Sequence, residues 1–518
     1  MEKCLPYYEK VFCEKSEKNI SIDVSLQEYL PNAVKVVKVS AFPITDECEL
    51  QKDSLYIRGH IVFSAIYLSD FRDKLKCASF TTDFSHTFPA RGIEDVLSNN
   101  GFTDWNVSVS DEKGQPVSQR KLVLSCKLLI CADAYVAKKT DIFETENNKT
   151  LKKLCDNVDV LDIHKIRDCE FSLEDNITLE DGMPHIREIV FTEASVADTS
   201  ATVSDGNINY SGDIILNCLY LGESEDESEQ YISFCKKLPF HGSMPSEDIS
   251  DAAYVLCKGV VTSVNADPVQ NNYGESTICG VSVGILINAK AYATCKTEII
   301  SDIFSTKHDC DCEVREIGYD CFICSINESV EVLESARANL GSITDIISQL
   351  ANVSVISTEL SGKVPVFNLR ANLKLCGTNA QGIFESINTA FNFKVAPTAE
   401  LPEIPEKCRF DTCVHISDCS CKIENGEIKC NLTLELSSAV YARKSARAIT
   451  AVNVDDSFEL CRNKSEYIIF YPEPEDTVWS AAKRYRVSPE ALLAVNGMNS
   501  NDTVFSGKKA IVIPRKDC

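Results

Sequence analysis

The chain states one pattern three times, and this constrains its fold more than any other feature. The stretch Val37–Ala41 followed by Leu55–Leu68 returns as Ile189–Ala194 followed by Ile208–Leu221. Val37/Val190, Ala41/Ala194, Gly59/Gly212 and Tyr67/Tyr220 all share an offset of 153 residues. A more worn copy runs through Ile346–Ala351 and Phe367–Gly377. A fixed period of about one domain length predicts tandem domains rather than a solenoid of short repeats.

Within each copy the apolar residues alternate. Ile20–Leu26, Glu170–Leu179 and Ser329–Leu333 read as opening strands with one buried face. The next strand carries Ala41, Ala194 or Ala351, and after a polar turn comes the glycine-bearing strand. Gly59 and Gly212 lie inside strand patterns, where glycine marks a bulge or a close backbone approach. Phe367 or Ala371 takes that place in the third copy. Each copy closes on a long apolar run ending in tyrosine: Leu122–Tyr135, Val281–Tyr292 and Leu432–Tyr441. Helical patterns are scarce, the best being Ile93–Ser98 and Ala336–Leu350. The expected architecture is mainly β: three tandem homologous antiparallel β-sandwich-like repeats over 1–143, 150–306 and 313–456, then a small βααβ domain over 466–515. Connections between copies are expected near 141–165 and 300–318. Whether the repeats pack together or string out stays open, and three sets of strand edges leave self-association an option.

The 77 acidic and 52 basic residues give a net charge of −25, which argues against nucleic acid as a partner. Residues 466–518 are neutral, so the acidic body carries all of that charge. The longest apolar runs are about a dozen residues, too short to span a membrane. The N-terminus lacks the basic and apolar regions of a signal peptide, so the expectation is a protein that stays in the compartment where it is made. Under that expectation the 25 cysteines read as reduced, mostly buried thiols, with a disulfide framework as the alternative. The strongest metal-like spacing is Cys310-Asp-Cys312 with Cys321-Phe-Ile-Cys324, next to His308. C-x-C plus C-x2-C can close a thiolate site, but free thiols are the simpler reading, and no metal or cofactor is expected. Cys419-Ser-Cys421, with Cys408 and Cys413, is a looser cluster. The acidic run Glu223–Glu229 reads as a solvated hairpin loop. No phosphate loop, dinucleotide fingerprint, zinc-protease or serine-hydrolase motif occurs, and the seven histidines are scattered, so no enzyme is expected.

The tail is the most specific signal. Asp476 or Thr477 can cap a helix with Val478, Ala481, Ala482 and Tyr485 on one face. Ser488-Pro489 starts a second helix, Asn496-Gly497 stops it, and Ala510–Ile513 forms a last strand before Pro514. This strand–helix–helix–strand order closely resembles the LysM domain from Tyr467 to Pro514. The shared features are Asp-Thr-x-Trp-x-x-Ala, Leu-Leu-x-x-Asn-Gly and Gly-Lys-x-x-x-x-Ile-Pro. Glu475 replaces the family's usual glycine before Asp-Thr. The resemblance implies a shallow groove for N-acetylglucosamine-containing glycans at Asp476, Thr477, Val478, Asn496, Gly497 and Met498, with Trp479 and Leu492 as a small core. Glu475 places a charge at that groove and leaves room for a protein ligand.

Three β repeats followed by one LysM domain also resemble the clostridial SPOCS-domain proteins, the SipL-like family of spore coat morphogenesis. That resemblance implies a non-enzymatic scaffold in the mother-cell cytoplasm at the forespore surface. Its LysM domain would dock on a SpoIVA-like coat-basement protein. The alternative is a cell-wall protein that holds peptidoglycan in the LysM groove.

Overall fold

A computed structural model describes residues 3–51, 53–71, 74–90, 101–142, 150–166, 169–223, 229–246, 249–336, 343–404, 407–424, 427–455, 467–505 and 510–514. The fold is mainly β. The first copy contains β1 (Lys3–Ser25), β2 (Ala33–Gln51), β3 (Ser54–Ser69), β4 (Leu75–Pro89), β5 (Phe102–Ser118) and β6 (Lys121–Ile142). The second contains β7 (Leu151–Lys165), β8 (Cys169–Thr178), β9 (His185–Ser204), β10 (Asn207–Glu223), β11 (Glu229–Pro245), β12 (Tyr254–Val269) and β13 (Ile278–Ser305). The third contains β14 (Asp309–Ala336), β15 (Ile343–Ser361), β16 (Val364–Asn379), β17 (Phe384–Val395), β18 (Cys408–Glu424) and β19 (Glu427–Asp455). The tail adds β20 (Tyr467–Phe470), α1 (Val478–Tyr485), α2 (Pro489–Val495) and β21 (Ile511–Pro514).

Each copy makes two antiparallel sheets. One is a meander centred on the glycine or equivalent strand: β2-β3-β4, β9-β10-β11 and β15-β16-β17. The other is centred on the strand that ends the copy: β1-β6-β5, β8-β13-β12 and β14-β19-β18. Alternate residues of the central strands face each other, such as Leu55, Ile57, Ile61 and Phe63 of β3 with Leu122, Leu124, Leu128 and Ile130 of β6. All eight are buried, and at about 1.5–3 kcal/mol each such side chains dominate the stability of a sandwich.

The turns fix the alignment of the copies. Gln51/Ser54, Ser204/Asn207 and Ser361/Val364 flank equivalent hairpins, so Ala41, Ala194 and Ala351 occupy matching positions opposite Phe63, Leu216 and Leu373. Gly59 and Gly212 then correspond to Leu369, not to Phe367 or Ala371 as the sequence suggested. The three lie opposite Phe84, Phe240 and Phe393. A Cβ on Gly59 would stand 2.1 Å from the Ile44 carbonyl oxygen and 2.9 Å from the Phe84 ring. The close approach is real in two copies, while buried Leu369 replaces it in the third.

Two connections expected between copies are strands. Residues 151–165 form β7, which pairs with the far half of β13 from Leu151/Ser305 to Lys165/Lys290. The first half of β14 likewise pairs with the far half of β19. Both ribbons have alternating apolar faces, so they pack on each other through Val158, Val160, Ile299, Ile317 and Tyr319. Burial of that face turned presumed linkers into sheet. The helix expected over Ala336–Leu350 is also corrected. From Ile343 the chain is β15, where the bulged strand pairs in register with β16, and 337–342 lie outside the described residues, as do 93–98 and most of the acidic 223–229 run.

The repeats pack together rather than string out. Equivalent residues from all three meet in one apolar cluster: Val37, Val190 and Ile347, with Ile66, Leu219 and Cys376. Tyr135, Tyr292 and Tyr441, the closing tyrosines of the copies, meet in another. Among the described residues no helix is long and apolar enough to cross a membrane.

Candidate functional site: the terminal βααβ unit and its platform

The tail folds as its caps dictate. Thr477 is the N-cap of α1; its hydroxyl accepts from the Ser480 N–H at 3.0 Å, and Ser480 Oγ accepts from the Thr477 N–H at 2.9 Å. Ser488 caps α2 by accepting from the Ala491 N–H, with Pro489 in the first turn. Arg486 ends α1 with φ 52°, and Gly497 follows α2 with φ 59°, the region where glycine is least strained. The core holds Phe470, Val478, Ala481, Ala482, Leu492, Ile511 and Ile513.

Most of the six residues expected at the groove are occupied with holding the fold. Asp476 accepts from the Glu473 N–H and pairs with Arg484 at 3.1 Å. Val478 is buried, and its N–H bonds to the Thr503 carbonyl at 2.9 Å, while Thr477 bridges to Val504. Asn496 joins α2 to β21: its amide donates to the Leu492 and Val512 carbonyls at 2.8 and 2.7 Å and accepts from the Val512 N–H at 2.7 Å. Met498 packs on the core from the side. Gly497 and the neighbouring Glu475 are exposed. The loops before α1 and after α2 are therefore held by hydrogen bonds. What they offer a ligand is chiefly backbone around Gly497 and the Glu475 side chain.

Residues 473–514 match the LysM family model. No curated protein and no solved structure matches the chain.

The LysM unit is clamped to the body, a feature that sequence reasoning missed. Trp479 belongs only partly to the small core. Its indole N–H donates to Asp302 Oδ2 at 2.8 Å, and its ring meets Phe304 edge-on at 5.0 Å. Lys483 pairs with the other Asp302 oxygen at 2.6 Å, and Arg486 bonds to Asp309 at 2.5 Å and to the His308 carbonyl at 2.9 Å. Lys152 pairs with Glu490 at 3.1 Å. Burial alone would raise Asp302, but the bonds from Lys483 and Trp479 outweigh it and hold the carboxyl below its usual range. The body residues lie at the free end of the β7/β13 and β14/β19 ribbons, far from the tail in sequence, so no local signal announced them. Lys483 of α1 and Arg486 at its C-terminal cap face Asp302 and Asp309, which gives the charge asymmetry a structural meaning.

The metal-like cysteines do not converge. Cys310, Cys312, Cys321 and Cys324 all lie along β14, and nine residues of strand put Cys312 and Cys321 roughly 30 Å apart. No group of three metal-ligating side chains forms among the described residues. Among the described residues, the cysteines from Cys13 to Cys430 are thiols. The fold does pair Cys413 with His415, neighbours on one face of β18, at 3.1 Å. Burial would push the Cys413 thiol up, but His415 outweighs it and holds it below its usual value. Beside the pair lies a cleft of about 310 Å3 between repeats two and three, lined by Asp198, Thr199, Tyr254, Glu328 and Glu435 but not by Cys413 or His415.

Proposed function

We propose that this chain is a non-enzymatic assembly scaffold of the spore envelope, which holds its LysM domain on a rigid acidic platform for a coat-basement protein of the SpoIVA-like kind. The clamp at Asp302 and Asp309 supports this reading best. A domain meant to search a cell wall gains from a free tether, whereas one fixed in orientation suits a defined joint in an assembly. Glu475 beside the groove and the strongly acidic body favour a basic protein surface over a neutral glycan. Resemblance to the SPOCS-domain proteins supplies the spore setting, in the mother cell at the forespore surface. The test is capture by the full-length chain: retention of a coat-basement protein from sporulating-cell extract, lost on Glu475→Lys, is expected. Retention of muropeptides alone would overturn the reading.

A second reading is peptidoglycan binding, favoured by the match over residues 473–514 and by the exposed backbone at Gly497. Co-sedimentation of the intact chain with purified peptidoglycan separates the two.

A further inference from the structure

Three thiols of the third repeat stand in a row. Cys419 and Cys421 are neighbours on one face of β18, with sulfurs 3.8 Å apart, and Cys421 Sγ is 3.4 Å from Cys430 Sγ on β19. Cys421 and Cys430 are direct cross-strand partners. The Cys421 N–H turns away from β19 and donates to Gln349 Oε1 at 2.9 Å, while Gln349 Nε2 donates to the Cys419 carbonyl at 2.7 Å. An N–H pointing off the ladder places Cys421 and Cys430 in a non-hydrogen-bonded pair, where the two Cα atoms stand about 4.5 Å apart. That spacing lies inside the range a disulfide spans, about 4.4–6.8 Å. Two residues along a strand cover about 6.6 Å, near the limit, so a Cys419–Cys421 bond is the poorer of the two. Accessibility runs the other way: Cys430 is fully buried, Cys421 nearly so, and Cys419 only in part. Hydrogen bonding to Cys419, together with burial, pushes the Cys421 thiol up to about 12 and leaves it a poor direct target for an external oxidant.

We propose that this row is a covalent cross-linking site. Cys421 and Cys430 become joined by exchange with a low-molecular-weight disulfide that enters at Cys419. The Cys419 thiolate attacks the small disulfide, forming a mixed disulfide and releasing one small thiol. Cys421, after losing its proton, attacks the Cys419 sulfur and displaces the second small thiol. Cys430, deprotonated in turn, attacks Cys421 and returns Cys419 to the thiol form. One small disulfide is reduced to two thiols, and two protein thiols are oxidised to one disulfide. The bond locks the β18–β19 hairpin; β18 also carries Asp411, whose carboxylate accepts from Tyr135 of the first repeat and Tyr292 of the second. The chain would thus stay reduced where it is made and stiffen on later exposure to oxidant.

The test uses the native full-length chain with oxidised glutathione, followed by alkylation of remaining thiols and peptide mapping. A Cys421–Cys430 disulfide is expected, with Cys419 recovered as a thiol or glutathione adduct. Closure in Cys419→Ser is expected to be slower by about tenfold or more. Wild-type mapping requires no core substitution, so a misfolded variant cannot obscure the answer. If Cys421 and Cys430 both remain alkylatable once Cys419 is fully glutathionylated, the proposal is wrong. It also fails if closure in Cys419→Ser is as fast as in wild type.

Discussion

Asn496 shows how a side chain in the expected binding position can be structural. Its amide makes two hydrogen bonds to Val512 of β21 and one back to Leu492 of α2, which together tie the end of α2 to β21. Asn496→Ala leaves the Val512 N–H and two carbonyls without these partners, and about 1–3 kcal/mol of LysM stability should be lost. The expected outcome is earlier local unfolding of residues 467–514 by hydrogen exchange, with the β repeats unchanged. Ligand binding lost in such a variant reports on folding. Glu475, exposed and outside this network, is the cleaner probe of the groove. If Asn496→Ala exchanges like wild type in β21, the bridging role assigned to it is wrong.

At the scale of elements, the two ribbons beyond the sandwiches decide where the LysM unit sits. β13 and β14 are each 28 residues long because their outer halves found partners in β7 and β19. Asp302 ends this construction with bonds to Trp479 and Lys483. Its carboxyl is held below the usual range when docked, so the contribution is present above about pH 4, the ordinary aspartate value, and is lost as pH falls through the docked value. Asp302→Asn should remove that dependence and loosen α1 on the body, while Arg486–Asp309, Lys152–Glu490 and the Phe304–Trp479 contact still hold the unit. Hydrogen exchange in α1 should then be faster than in wild type at neutral pH, and unchanged exchange would contradict the contribution assigned to Asp302.

For the whole molecule, the repeat is symmetric where it is apolar and asymmetric where it is charged. Tyr135, Tyr292 and Tyr441 occupy equivalent positions, yet the residues two before them are Asp133, Lys290 and Ala439. Their cross-strand partners are Asp104, Leu256 and Asp411. Lys290 therefore reaches from the second repeat to Asp104 of the first at 2.7 Å and to Asp411 of the third at 3.1 Å, and Tyr292 donates to Asp411 at 2.5 Å. Lys38 with Glu193, at 2.6 Å, and Lys374 with Glu112 are further buried pairs between repeats. One cation for two carboxylates fixes which repeat goes where, since burying a charge without its partner is costly. Burial would raise Asp411, but Lys290 outweighs it and brings it down to about 2. Burial would lower Lys290, but Asp411 outweighs it and raises it above its usual value. The carboxylate's contribution is present above about pH 4 and lost as pH falls toward 2, while the lysine's is present below about pH 10 and lost only above its raised value. Lys290→Met should cost about 3–5 kcal/mol near neutral pH by removing the one cation that bonds to both carboxylates, with less loss in acid. Thermal unfolding across that pH range measures it, and equal loss at every pH would exclude the charge network as the cause.

Local pattern determined a good deal of this protein. Alternation gave the strands, the offset of 153 gave the first two copies, and the caps at Thr477 and Ser488 gave the two short helices, because each is decided within a few residues. Tertiary structure decided the rest. Val158 and Ile299 became ribbon because distant apolar faces covered them, and Leu369 could be aligned with Gly59 only once strand register fixed the hairpin turns. Cys421 and Cys430 met through strand register, as Trp479 met Asp302 through docking. Sequence spacing measures distance along the chain, whereas burial, charge pairing and thiol contact depend on distance through space.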